Sequence, residues 1–171
     1  EFDRRSVRQM YVHVLAGACF SIGVRFAGTG DPRAKEVLCN YVMELHQLRE
    51  ANDPVSIVSK PEFPILETCI GQAAVALAVV MAGTGDLDAL RIFKILRWRH
   101  DKDVTFGSHM IYGMATGLLF LGGGTMTLGR EPEHVAAIVT AFFPRFPTHS
   151  GDNQYHLQAL RHLYALAVQS R

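Results

Sequence analysis

The pentapeptide Ala27-Gly28-Thr29-Gly30-Asp31 returns unchanged as Ala82-Gly83-Thr84-Gly85-Asp86, and a looser copy follows as Leu121-Gly122-Gly123-Gly124-Thr125. Self-similarity at this scale calls for a repeat architecture, because each copy is one supersecondary unit that buries its apolar face only by stacking on the next. The copies begin at residues 27, 82 and 121. The longer interval contains Asn52 to Pro64, with Asp53-Pro54, Lys60-Pro61 and Phe63-Pro64, and reads as a loop inserted into one repeat. The underlying period is then about 40 residues, in the range of helical solenoids.

Each copy has the same grammar. An apolar segment with small residues comes first (Val12 to Ala27, Thr68 to Ala82, His109 to Leu121), then the Gly-x-Gly turn. A more polar amphipathic helix follows: Pro32 to Leu48, Leu87 to Trp98, Pro132 to Phe143. The turn residues have mechanical reasons. A helix ends readily on glycine, which takes the left-handed conformation without a Cβ penalty. Gly28 and Gly30, Gly83 and Gly85, and Gly122 and Gly124 supply that freedom. Asp31 stands at an N-cap position with Pro32 at the first helical residue, and Asp86 caps the next copy in the same way. Glu131, Pro132 and Glu133 open the third.

The first segments carry small residues four apart: Cys19, Gly23 and Ala27; Ala74, Ala78 and Ala82; Gly113 and Gly117. Such a stripe lies on one helix face and lets a neighbouring backbone approach closely. The expected fold is all-α, a curved arc of helical hairpins with these helices as a tight inner layer and the polar ones outside. Gly117→Leu is then expected to overpack the inner layer. The chain reads as one domain, 1–171, with repeats over about 7–50, 64–100 and 106–147 and a final helix over about 153–169. That helix, with Leu157, Leu160, Tyr164 and Ala167 on one stripe, is either a cap or the first half of a further repeat. Arg25 stands in the first inner segment where the other copies have Val80 and Leu119.

Composition narrows the function. A formal charge of +1, from 17 Lys+Arg against 16 Asp+Glu, argues against a nucleic-acid partner. Three scattered cysteines, Cys19, Cys39 and Cys69, read as small buried hydrophobes of a reduced, intracellular protein. The uncharged run Met110 to Leu128 is long enough to span a bilayer, and Gly113-x-x-x-Gly117 suits packed membrane helices. Its triple glycine is a poor helix interior, so no membrane partner is expected. The opening Glu-Phe-Asp-Arg-Arg is no signal peptide and reads as a cut inside a longer polypeptide.

No spacing among the eight histidines and three cysteines resembles a zinc site, and no Lys-Ser/Thr follows the triple glycine as a phosphate loop requires. No catalytic residue, metal or cofactor is assigned, and the acids Asp101, Asp103, Asp152, Glu131 and Glu133 read mostly as caps. The candidate partner-binding surface is basic: Arg91, Lys94 and Arg97 recur at three-residue spacing, followed by Trp98, Arg99, His100 and Lys102. Such a face suits an acidic partner with Trp98 as aromatic anchor, or is a solvated helix face with Trp98 partly packed.

The segment Gly107-Ser-His-Met-Ile-Tyr-Gly-Met-Ala-Thr-Gly-Leu-Leu-Phe-Leu-Gly-Gly-Gly124 and the two Ala-Gly-Thr-Gly-Asp turns resemble the proteasome/cyclosome repeat family. The stretch Phe143 to Ala167 is more similar to the cyclosome branch, found in the largest subunit of the anaphase-promoting complex, than to the proteasome branch. This resemblance implies a non-catalytic scaffold in a cell-cycle ubiquitin ligase of nucleus and cytoplasm. It implies other subunits of that complex and the rest of its own repeat ring as partners, with this chain as the C-terminal part of the array. Exposed end flanks also leave room for self-association. A proteasome regulatory-particle scaffold is the alternative, and an unrelated small helical membrane or enzyme domain the second.

Overall fold

The structure is a computed structural model that describes residues 3–52, 60–143, 145–149, 151–152 and 155–171. The fold is all-α and repetitive. Among the described residues the helices are α1 (Arg4–Arg25), α2 (Pro32–Glu50), α3 (Phe63–Val80), α4 (Leu87–Arg97), α5 (Phe106–Leu119), α6 (Pro132–Ala141) and α7 (Tyr155–Leu160). Two short 3₁₀ segments, Leu121–Gly124 and Arg161–Ala167, and two short strands, β1 (Met126–Leu128) and β2 (Val168–Ser170), complete the elements. Part of the inserted loop, including Asp53 and Pro54, lies outside the described residues.

Helices α1, α3 and α5 lie side by side as the inner layer, with α3 in the middle. Its sequence explains the position: from Cys69 to Val80 nearly every residue is buried, including Ala73, Ala74, Ala76 and Ala78 with no exposed surface. The outer helices stack one step ahead of their own repeat, α2 on α3 and α4 on α5. On α1 the stripe residue Gly23 does meet α3 closely, but at Ala76, which lies off the Ala74, Ala78 and Ala82 stripe. A Cβ on Gly23 would lie 2.8 Å from the Ala76 Cα, so the backbones meet there without side chains between them. Gly71, which lies off the stripe, serves the same purpose between α3 and α5: a Cβ on it would sit 2.8 Å from Ile111 Cδ1.

The third copy departs from the expected grammar in three ways. First, Gly113 and Gly117 occupy positions equivalent to Cys19 and Gly23, yet both are exposed and a Cβ on either meets no atom within 4 Å. The side of α5 that would receive another inner helix is instead the wall of a cavity of about 510 Å³, shared with Met110, Met114, Phe142 and Tyr164. The overpacking expected of Gly117→Leu therefore does not apply. Removing a helix-interior glycine should leave the stability of this chain unchanged or raise it by about 0.5–1 kcal/mol. A drop of more than about 1 kcal/mol on thermal or urea unfolding would contradict this geometry.

Second, the triple glycine does not lead into an outer helix. Gly122, Gly123 and Gly124 all have positive φ (57°, 63° and 91°). The middle one stands where Thr29 and Thr84 keep ordinary backbone, so the chain doubles back here. Strand β1 then runs beneath the earlier turns: the Thr127 hydroxyl donates to the carbonyls of Ala82 (3.1 Å) and Gly28 (2.8 Å). As a result α6 is not stacked outside α5. It packs on the 3₁₀ segment Arg161–Ala167 and touches α1, where Val135 and Val139 face Phe20 and Val24, and Arg25 lines the same groove beside Arg130.

Third, the final helix is short. Among the described residues of the expected helix only Tyr155–Leu160 is α-helical; Arg161–Ala167 tightens to 3₁₀ and Val168–Ser170 pairs antiparallel with β1, Leu128 opposite Val168. The buried Arg161 guanidinium donates to the carbonyls of Ala141 (2.9 Å), Phe143 (2.6 Å) and Arg145. It thereby satisfies orphan carbonyls at the end of α6 and pins the two segments together. Strand β1, α6 and the segment Arg161–Ser170 thus pack on one another and touch the inner layer at α1. The run Met110 to Leu128 is broken at Leu119 and is not one helix. By length and composition α1 and α3 could cross a membrane; α3, with 72% of its apolar window buried, is the core helix of this fold.

Candidate functional site

The repeated pentapeptide is a joint between repeats. Gly28 and Gly30 donate their N–H groups to the carbonyls of Val79 (2.8 Å) and Val80 (2.9 Å), the last residues of α3. Gly83 and Gly85 do the same to Leu118 and Leu119 of α5, both at 2.9 Å. A helix end leaves such carbonyls without intrahelical partners, so each turn completes the inner helix of the following repeat. All four glycines have φ between 63° and 73°, a region L-residues enter at a cost. The other positions are equally determined. The hydroxyls of Thr29 and Thr84 donate back to Phe26 and Met81 at 2.8 Å and accept from the N–H groups of Asp31 and Asp86. Asp31 then caps α2 through the Ala34 N–H, and Asp86 caps α4 through those of Asp88 and Ala89.

The third copy makes the equivalent joint elsewhere. Among the described residues neither Gly122 nor Gly124 donates across to another element. Gly129 does, to the Ala167 carbonyl at 2.7 Å. The repeat pattern does not single out Gly129; its position three residues before Pro132, where Gly30 stands two before Pro32, is the signal that could have found it. The outer layer has its own joint: Lys35 of α2 reaches Asp86 (2.6 Å) and Asp88 (3.0 Å) at the start of α4. The hydrogen bond to Asp86 raises the Lys35 pKa. Burial alone would raise the Asp86 pKa, but the hydrogen bonds from Ala89 and Lys35 outweigh it and hold the carboxyl below its ordinary value.

Sequence reasoning missed a buried ionic cluster. Glu67, 4% exposed, is the one charged residue of α3. Arg49 at the end of α2 brings its Nε to 2.5 Å from the carboxylate and also pairs with Glu50 and Asp101. Arg99, just past α4, forks onto both Glu67 oxygens and donates to the Tyr112 hydroxyl at 2.8 Å. The Ser108 hydroxyl completes the set at 3.4 Å from Glu67. Asp101, one of the five acids that the sequence explains mostly by capping, is an ion-pair partner. The cluster ties α2, α3, α5 and the segment after α4 to one point. A lone carboxylate in an otherwise uncharged helix was its sequence signature.

The predicted basic surface is present on α4. Arg91, Lys94, Arg97 and Trp98 are all exposed, Trp98 at 74%. Arg91 is paired with Asp88 at 2.9 Å, while Lys94 and Arg97 make no ion pair among the described residues. The indole is open to solvent and not partly packed. The cysteines are free thiols: burial pushes the pKa of Cys19 and of Cys39 up to about 11 and that of Cys69 up to about 12, which removes the reactive thiolate at neutral pH. Among the described residues no group of three or more His, Cys, Asp or Glu is placed to hold a metal ion.

These joints belong to a recognisable lineage. The family model described as APC1 fifth domain matches residues 2–169. The chain is 40% identical over 171 residues to human "Anaphase-promoting complex subunit 1", covering all of this chain and 9% of that protein. It is 40% identical over 183 residues to the Arabidopsis thaliana protein of the same name, covering all of this chain and 11% of the relative. It is also 40% identical over 161 residues to the Emericella nidulans "Negative regulator of mitosis", covering 94% of this chain and 8% of the relative. The chain thus spans about a tenth of the length of these curated relatives. It belongs to the family of the fifth domain of anaphase-promoting complex subunit 1.

Proposed function

We propose that the chain is a non-catalytic scaffold segment of the anaphase-promoting complex, a ubiquitin ligase of the cell cycle, acting in nucleus and cytoplasm. The observation that carries this reading is the family match over residues 2–169, laid on a fold whose repeated motif is spent on joining helices. The buried ionic cluster supports it as well: Glu67 is closed in by two guanidiniums, an arrangement suited to holding helices together. Its partners in this reading are other subunits and further repeats of its own polypeptide. Val7, Met10, Tyr11 and Val14 leave an apolar face on α1, 43–72% exposed, of the kind that a preceding repeat would cover.

Affinity capture of the full-length parent protein from cells, with mass spectrometry of what accompanies it, tests the reading. Co-recovery of cullin-type, RING and tetratricopeptide-repeat subunits is the expected result. Recovery of proteasome ATPases, or of no stable partner, would overturn it.

A further inference from the structure

We propose that the C-terminal end of α4 is a docking site for an acidic segment of another subunit, anchored on Trp98 and steered by Lys94 and Arg97. This rests on the scaffold reading and goes beyond it by naming a surface and the chemistry of what it binds. Trp98 is the C-cap residue of α4 and, at 74%, the most exposed large hydrophobic side chain among the described residues. Leu87, Arg91, Ile95 and Trp98 fall on one side of α4 at helical spacing, and Leu87 and Ile95 are 63% and 48% exposed. A groove of about 530 Å³ between α2 and α4 continues this strip. Its apolar lining is Cys39, Met43, Ile92 and Ile95.

Charge selects the occupant. Lys94, Arg97 and, four residues past the indole, Lys102 are exposed and make no ion pair among the described residues. Of the neighbouring acids, Asp88 is engaged with Lys35 and Arg91 and Asp101 with Arg49, while Glu36 on the α2 side of the groove and Asp103 beside Lys102 make no ion pair among the described residues. Cations in a last helical turn complement the helix dipole, but that accounts for the lysine and arginine and not for an indole left in water beside them. An aromatic anchor flanked by cations without partners matches a segment that offers carboxylates around an apolar side chain. The strip and groove run on along α4 as a peptide segment would; an anionic lipid surface or a nucleic acid, which also take up an indole beside cations, would give no adduct to another subunit in the test.

The test uses the full-length subunit in its assembled complex. Benzoylphenylalanine, a photo-reactive residue, replaces Trp98, and the irradiated complex is searched for the cross-linked peptide. A second variant carries the probe at Lys94, so that a fold sensitive to position 98 does not decide the outcome. The expected result is an adduct to another subunit through a segment of net negative charge, with its yield reduced at least tenfold by Arg97→Glu. The distant control Arg8→Glu on α1 should leave the yield unchanged. No adduct from either position, an adduct within the same polypeptide or to a second copy, a neutral or basic segment, or indifference to Arg97→Glu would each overturn the proposal. If the complex is recovered intact and the adduct is absent, only this site fails; if the wild-type subunit captures no complex, the scaffold reading fails and takes the site with it.

Discussion

Gly83→Ala should be among the most destabilising single-methyl additions to the turns of this domain. Gly83 sits at φ +73°, and a Cβ there would be built into the carbonyl oxygen of Met126 in β1. Left-handed backbone costs an alanine roughly 1–2 kcal/mol. Displacing the strand adds about 1–3 kcal/mol of overpacking. The shift also pulls at the bond from the Gly83 N–H to Leu118, so the total is expected to reach about 3 kcal/mol or more, a large part of a typical domain's 5–15 kcal/mol. Gly123→Ala separates the two causes. Gly123 has φ +63° but nothing within 4 Å of its Cβ position, so it should lose only the backbone part, roughly 1–2 kcal/mol. Urea midpoints of the two variants check the argument; equal losses would mean that β1 does not press on the second turn.

That contrast also separates what the sequence could express from what it could not. Turn and cap chemistry is local: glycine at positive φ, a threonine that folds back, an aspartate three residues before the N–H it accepts from. Such features are legible in Ala-Gly-Thr-Gly-Asp because cause and effect lie within a few residues. The inner layer was legible in part: Gly23, on the predicted stripe of α1, does let α1 and α3 touch, but the residue it meets is Ala76 and not one of Ala74, Ala78 or Ala82. The same spacing at Gly113 and Gly117 is written identically, yet a Cβ on either meets no atom within 4 Å, and Gln158 and Ala159 of α7 face Gly117 only across a cavity. A stripe specifies that a neighbour would fit, and only the rest of the chain determines whether one comes. The three-residue strands β1 and β2 carry almost no periodic signal and exist through their pairing across roughly forty residues. The Trp98 surface was visible as composition, but its exposure depends on which face of α4 the packing on α5 leaves free.

The ionic cluster makes the sharpest energetic case, because its members are valuable only together. Glu67→Leu should cost about 3–5 kcal/mol, since it leaves the guanidinium of Arg49, 4% exposed, and that of Arg99 facing each other without their shared carboxylate. Most of that loss is the penalty of stranded charge and not the net worth of the ion pairs, so the triple variant Arg49→Met, Glu67→Leu, Arg99→Met should recover much of it. A triple variant as unstable as the single one would mean that the cluster's hydrogen bonds to Tyr112, Ser108 and Asp101 carry the energy instead. Asp101 supplies the pH signature. Burial would raise its pKa, but the hydrogen bonds from Arg49 and from the Asp103 N–H, together with the charges of Arg49 and Arg99, outweigh that and hold the carboxyl below its ordinary value. Its contribution is therefore complete above the usual carboxylate range and is lost as pH falls through the lowered value. Asp101→Asn should lie below the wild type in thermal midpoint at neutral pH, and the two should converge in acid. A gap that persists or widens in acid would show that the Arg49–Asp101 pair does not hold the end of α2 to the segment after α4.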